Sequence, residues 1–97
     1  MHGRMSRPVT PLREYLDRHR LTISAFRAQL APYLDPLPTL PAISQWASGR
    51  RVPVAHIQMA MMLATHGEVT PLDWARWSAS LRSHDDGSRA RRRGNRE

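Results

Sequence analysis

Apolar residues recur at three- and four-residue spacing in several short windows of the chain, separated by proline, glycine and small polar residues. In the first window Leu12, Tyr15, Leu16 and His19 fall at i, i+3, i+4 and i+7, one face of a helix. Thr10-Pro11 ahead of it supplies an N-cap and a proline at the first helical position, where its missing N–H costs nothing. The pattern predicts a helix from Pro11 to about Arg20. Thr22 caps a second, Ile23 to about Ala31, with Ile23, Phe26 and Leu30 facing inward and Pro32 ending it. Prolines at 32, 36, 38 and 41 then exclude regular helix from "APYLDPLPTLPA", which reads as a loop or an extended arm.

Thr39 is the next cap, for a helix from about Leu40 to Ser48 that Gly49 stops and Pro53 bars from continuing. Ala55 to His66 forms a fourth helix ended by Gly67. Thr70-Pro71-Leu72-Asp73 repeats the cap-plus-proline device, with Asp73 placed to reach back to the cap N–H, and opens a fifth helix running to about Arg82. No alternating β-branched run or hairpin turn signal appears. The predicted class is all-α, with five short helices.

The 97 residues are enough for one small domain with one core. The expected organisation is a flexible N-terminus over 1–9, a helical domain over 10–82 and a disordered Arg-rich tail over 83–97, whose one alanine is its only apolar residue. There is no Cys, which excludes a disulfide framework, a thiolate metal site and a Cys nucleophile. No apolar run approaches the roughly 20 residues that span a bilayer, and "MHGRMSRPVT" lacks the apolar core of a signal peptide. A bacterial cytosolic, nucleoid-associated protein with no membrane partner is expected.

Charge changes the picture more. All fifteen cationic residues are Arg, and the formal net charge is +7. Absence of Lys has a bland source in GC-rich coding. Yet residues 1–82 hold ten Arg against five acids, so the excess does not reside only in the tail. A polyanionic partner is implied, nucleic acid ahead of a membrane surface. Catalysis finds no support: the acids form no recognisable pair, the five His show no helical ligand spacing, and the glycines are dispersed rather than gathered in a phosphate loop. No metal, cofactor or small-molecule substrate is expected.

The stretch Ile43–Pro53, "ISQWASGRRVP", carries the most specific chemistry. Ile43 and Trp46 point inward with Ala47, leaving Pro41, Ala42, Ser44 and Gln45 outward near the helix start. Gln pairs bidentately with adenine, Ser with any base, and Ala42 or the Pro41 ring can meet a thymine methyl. Gly49-Arg50-Arg51 offers backbone N–H groups and two guanidinium groups to a phosphate. From these residues alone two readings stand open. One is a DNA-reading head; the other is a capped helix end whose Arg residues stabilise the C-terminal dipole.

"LTISAFRAQLA" followed by a turn and "AISQWASGRRVP" resembles the helix-turn-helix of the Cro/CI phage-repressor class (XRE-like), including its YdaS-like branch. Leu21, Phe26 and Leu30 match the pattern of its second helix. Ile43, Ser44, Trp46, Gly49 and Pro53 match its third, and "MMLATHGEVTPLDW" resembles its closing segment. The resemblance covers Leu12 to Trp74, about two thirds of the chain, and is more specific in its second half. It implies a lambda-repressor-like domain, here with a lengthened turn between the second and third helices. It further implies a sequence-specific double-stranded DNA-binding transcriptional regulator, a repressor of phage or mobile-element origin, with its third helix in the major groove of an operator. Base contacts are implied for Thr39, Pro41, Ala42, Ser44 and Gln45, and phosphate contacts for Thr22, Ser24, Arg50 and Arg51.

Two departures stand out. Arg27 occupies the position where the class usually has alanine; either it reaches along the edge of the helix pair to a phosphate, or it signals a different crossing angle of the pair. Phe26 and Trp46 are twenty residues apart, more than the family pattern has, which puts the extra residues in "APYLDPLPTLP". Tyr33, Leu34 and Leu37 are expected to pack over the Trp46 side; a wing touching DNA or a partner is the alternative. In the fourth helix Ile57, Ala60, Met61 and Ala64 make one apolar stripe that Met59, Met62 and Leu63 widen, predicting burial on more than one side. Trp74, Trp77 and Leu81 recur along the fifth. These residues either close the core or form a homodimer contact. Two other classes stay alive: a protein-binding module, antitoxin-like or inhibiting a host or defence complex, and an RNA binder acting through the Arg-rich tail.

Overall fold

A computed structural model describes residues 8–82. Within them the chain is all-helical, with five helices and no strand: α1 (Pro11–His19), α2 (Ile23–Leu30), α3 (Leu40–Ser48), α4 (Ala55–Ala64) and α5, residues 71–82. Residues 83–97, expected as a disordered tail, lie outside the described residues, as do 1–7 of the expected flexible N-terminus.

Local chemistry places the boundaries. The Thr10, Thr22 and Thr39 side chains each accept the backbone N–H three residues on, at 3.0, 3.0 and 3.2 Å, and so cap α1, α2 and α3. At α5 the box closes both ways: Thr70 Oγ1 accepts from the Asp73 N–H at 3.1 Å, and Asp73 Oδ2 accepts from the Thr70 N–H at 2.9 Å. Among the five helices described, α4 alone starts without a side-chain cap, because Val54 stands at that position.

The helix predicted over Ala55–His66 is shorter, ending at Ala64. His66 (φ 56) and Gly67 (φ 84) are both left-handed, and the Gly67 N–H closes on the Met62 carbonyl at 2.8 Å. Buried Thr65 holds the turn, its hydroxyl donating to the Met61 carbonyl at 2.7 Å while accepting the Val69 N–H at 3.0 Å.

The core is one cluster to which every helix contributes: Leu12, Tyr15 and Leu16 from α1, Phe26 and Leu30 from α2, Ile43, Trp46 and Ala47 from α3, Ala60, Met61 and Ala64 from α4, and Trp74 and Trp77 from α5. α3 packs against both α1 and α2, and α2 also meets α4. Trp74 and Trp77 meet edge to face with centroids 6.1 Å apart, and partly buried Leu81 packs against the core. These two Trp therefore close the core rather than stand out for a second chain. His19, predicted on the inner face of α1, is exposed instead. Its ring lies 4.5 Å from that of Tyr15, and Nε2 is 2.9 Å from Glu68 Oε1. The chain is already tied down at Pro8, whose carbonyl accepts from Trp77 Nε1 at 3.0 Å.

α4 is buried on one side only, which corrects the expectation of burial on more than one side. Ile57, Ala60, Met61 and Ala64 face the core, while Met59 and Leu63 remain 47% and 53% exposed and Met62 is half-buried. Five short helices do not supply enough surface to wrap α4 twice.

Candidate nucleic-acid interface

The predicted contact residues gather around α3 and the start of α2. Ile43, Trp46 and Ala47 turn α3 inward, and Thr39, Pro41 and Ser44 are exposed. Gln45 is half-buried, and its side chain makes no hydrogen bond within the described residues. Ala42 departs from expectation: it packs partly against the core and is less available to a thymine methyl than predicted. At the start of α2, Thr22 and Ser24 are exposed. The Thr22 oxygen already accepts from Ala25, so its hydroxyl proton is what it can offer a phosphate.

α3 ends as its glycine requires. Gly49 sits at φ 86, and a β-carbon there would lie 3.0 Å from Trp77 Cζ2 and 3.3 Å from Thr10 Cγ2. The left-handed stop and the close approach both select glycine. The N–H groups of Arg50 and Arg51 both fold back onto the Gln45 carbonyl, at 3.0 and 3.3 Å. This corrects one expectation, since these backbone donors are consumed by the helix end and cannot also hold a phosphate. The two guanidinium groups remain. Both residues are exposed and neither has a carboxylate within 4.0 Å among the described residues.

Arg27 differs from a free cation. Its Nε donates to the Pro38 carbonyl at 2.6 Å, which lays the side chain against the Pro-rich turn and uses one of its five N–H donors there. The turn itself divides. Leu34 and Leu37 pack against the core, as expected, whereas Tyr33 stays 46% exposed.

Contacts that sequence reasoning missed hold α3 from its far end. Buried Thr10 does two jobs: Oγ1 accepts from the Arg13 N–H and donates to the Ala47 carbonyl at 2.9 Å, joining the start of α1 to the last turn of α3. No local signal marks this, because the partners are 37 residues apart. Arg27 did carry a signal, as a long cation where the resembled pattern has alanine.

A cleft of about 400 Å³ lies between α1 and α5, lined by Glu14, Arg18, Glu68, Asp73, Arg76 and Trp77 among others. Its carboxylates have partners: Arg18 is 3.8 Å from Glu14 and 2.9 Å from Glu68, and Asp73 is engaged in its cap. The hydrogen bond with His19 is the main reason the Glu68 carboxyl is held below its ordinary value; local desolvation opposes this, and the Arg18 guanidinium adds to it. Among the described residues no three His, Asp or Glu side chains converge on a metal-sized site, and no helix is long and apolar enough to cross a membrane. No protein-family model, curated protein or solved structure matches the chain.

Proposed function

We propose that the chain is a sequence-specific double-stranded DNA-binding transcriptional regulator, a repressor that presents α3 to the major groove. The observation that carries this reading is the surface of α3 and its stop. Exposed Thr39, Pro41 and Ser44 precede two exposed guanidinium groups that no carboxylate among the described residues pairs, on a helix whose inner face is anchored by Ile43 and Trp46. Polar and small side chains suit base edges, and Arg beyond the helix end suits the flanking backbone. The resemblance to the Cro/CI class and the net charge of +7 support the same reading. Arg50, Arg51, Thr22 and Ser24 take phosphates; Ser44 and Gln45 read bases; no cofactor or small-molecule substrate enters, and there is no catalytic step.

In this reading the protein acts in the cytosol as a homodimer whose copies meet over Met59, Met62 and Leu63, the apolar surface that α4 leaves outside. Selection of bound fragments from a random double-stranded pool tests both parts. A two-fold symmetric motif is the expected product. A pool with no enrichment over many rounds would sink the reading.

One observation favours a second reading. Exposed Val52, Val54, Met59 and Leu63 lie on α4 and the loop before it, a surface that a protein partner of another kind could cover. Capture of a host protein that survives nuclease treatment, with no DNA enriched, would favour that alternative.

A further inference from the structure

The lengthened turn between α2 and α3 poses a mechanical problem. A short turn fixes the angle of a helix pair by its own geometry; a long one costs little to close but leaves the second helix free to swing. Here the N–H groups of Tyr33 and Leu34 reach back to the Leu30 carbonyl at the start of the turn. From Asp35 to Pro38 the one hydrogen bond among the described residues is the one Arg27 makes. Its Nε reaches from the middle of α2 to the Pro38 carbonyl, eleven residues on, at 2.6 Å. Pro38 is joined directly to Thr39, whose side chain and carbonyl take the Ala42 and Ile43 N–H groups at 3.2 and 3.1 Å. Two committed residues thus separate the guanidinium from the first turn of α3. Leu34 and Leu37 press the same turn onto the core from within.

We infer that Arg27 is a positioning residue for α3. It acts through Pro38 and Thr39, never touching DNA, and turns the long loop into a spacer of set length. Its charge serves to strengthen a hydrogen bond to a carbonyl rather than to neutralise a phosphate, since a charged donor makes roughly twice as strong a bond as a neutral one. This rests on the DNA-binding reading above only for its consequence in binding.

Two substitutions in the full chain separate a strut from a phosphate contact. Arg27→Gln keeps an N–H donor at the same number of bonds from the backbone and removes the charge. Arg27→Met keeps the apolar length and removes both donor and charge. Native-state hydrogen exchange reads positioning without DNA. The Met variant is expected to speed exchange of the Ala42 and Ile43 amides by about three- to tenfold, the worth of one net hydrogen bond, with the Met61 amide of α4 unchanged. The Gln variant, with a neutral donor, recovers about half of that protection.

On DNA selected by the parent chain, the Met variant loses affinity for the selected site more than for random sequence and keeps the parent's salt slope; the Gln variant falls between the two, also with the parent's salt slope. A salt slope flattened by about one unit in both variants would place Arg27 on a phosphate and overturn the inference. So would unaltered exchange at Ala42 and Ile43 in the Met variant, or faster exchange spread evenly over α4. If the parent chain selects no DNA, the DNA-binding reading fails while the exchange pattern still decides what Arg27 does.

Discussion

Thr10 and Gly49 show how much of the fold hangs on single side chains at the base of α3. Thr10 is 3% exposed and serves as donor and acceptor at once, so its replacement leaves a buried carbonyl and a partly buried N–H without partners. Thr10→Val, which keeps the shape, is expected to lose about 1–3 kcal/mol, measured by urea denaturation. An unchanged midpoint would mean that the Ala47 carbonyl finds another donor. Gly49→Ala forces a β-carbon against Trp77 while holding a left-handed φ of 86. A loss of about 1–2 kcal/mol is expected from the conformation alone, a fall in melting temperature of about 4–8 °C for each kcal/mol in a domain of this size. Both residues were legible as a cap and a stop. Their contacts with α3 and α5 were not, because the partners come from distant parts of the chain.

At the scale of elements, α3 divides into an anchored inner face and an outer face that we propose for DNA. Gln45→Ala is expected to cost about 1–3 kcal/mol on the selected site and nothing on random DNA. Arg51→Ala should weaken binding to all sequences and flatten the dependence of log K on log salt by about one unit. Equal loss of the Gln45 variant on both DNAs would remove it from base reading. Elsewhere, Glu68 clips the end of α1 to the turn between α4 and α5 through Arg18 and His19, at 2.9 Å each. Its carboxyl is held below the ordinary value of 4.5. A depressed acid stabilises the fold above its ordinary pKa, and that contribution is lost as pH falls through the folded value. The stability gap between the parent chain and Glu68→Gln should therefore be open at neutral pH and close on acidification below 4.5. Added salt should narrow it at neutral pH, as for any exposed pair. A gap that persists in acid would assign the effect to packing.

Across residues 8–82, five helices close one core and leave α4 half covered. Leu63 is 53% exposed, so Leu63→Glu should change the stability of the single chain by about 0.5 kcal/mol or less. Where two copies meet over Met59 and Leu63, the same change should shift sedimentation from concentration-dependent to that of a single chain. Identical sedimentation of parent and variant would move the dimer contact elsewhere or dispense with it. The all-helical class, the cap residues and the α3 stop followed from local pattern. The outcome for α4 depended on how much surface four other short helices could supply, and no window of sequence contains that quantity.

The sequence alone determined where most helices begin and stop, the end of α4 excepted, because caps, prolines and left-handed glycines act on backbone groups within a few residues. It also determined the net charge and the small, polar and basic character of the α3 surface and its exit. Only the tertiary structure decided which apolar residues of α4 stay outside, that Trp74 and Trp77 close the core, and that the N–H groups of Arg50 and Arg51 are already spent. It also turned Arg27 from a free cation into a strut on the Pro-rich turn. These outcomes depend on acceptors and surfaces brought close by packing, and adjacency in space is not written in adjacency along the chain.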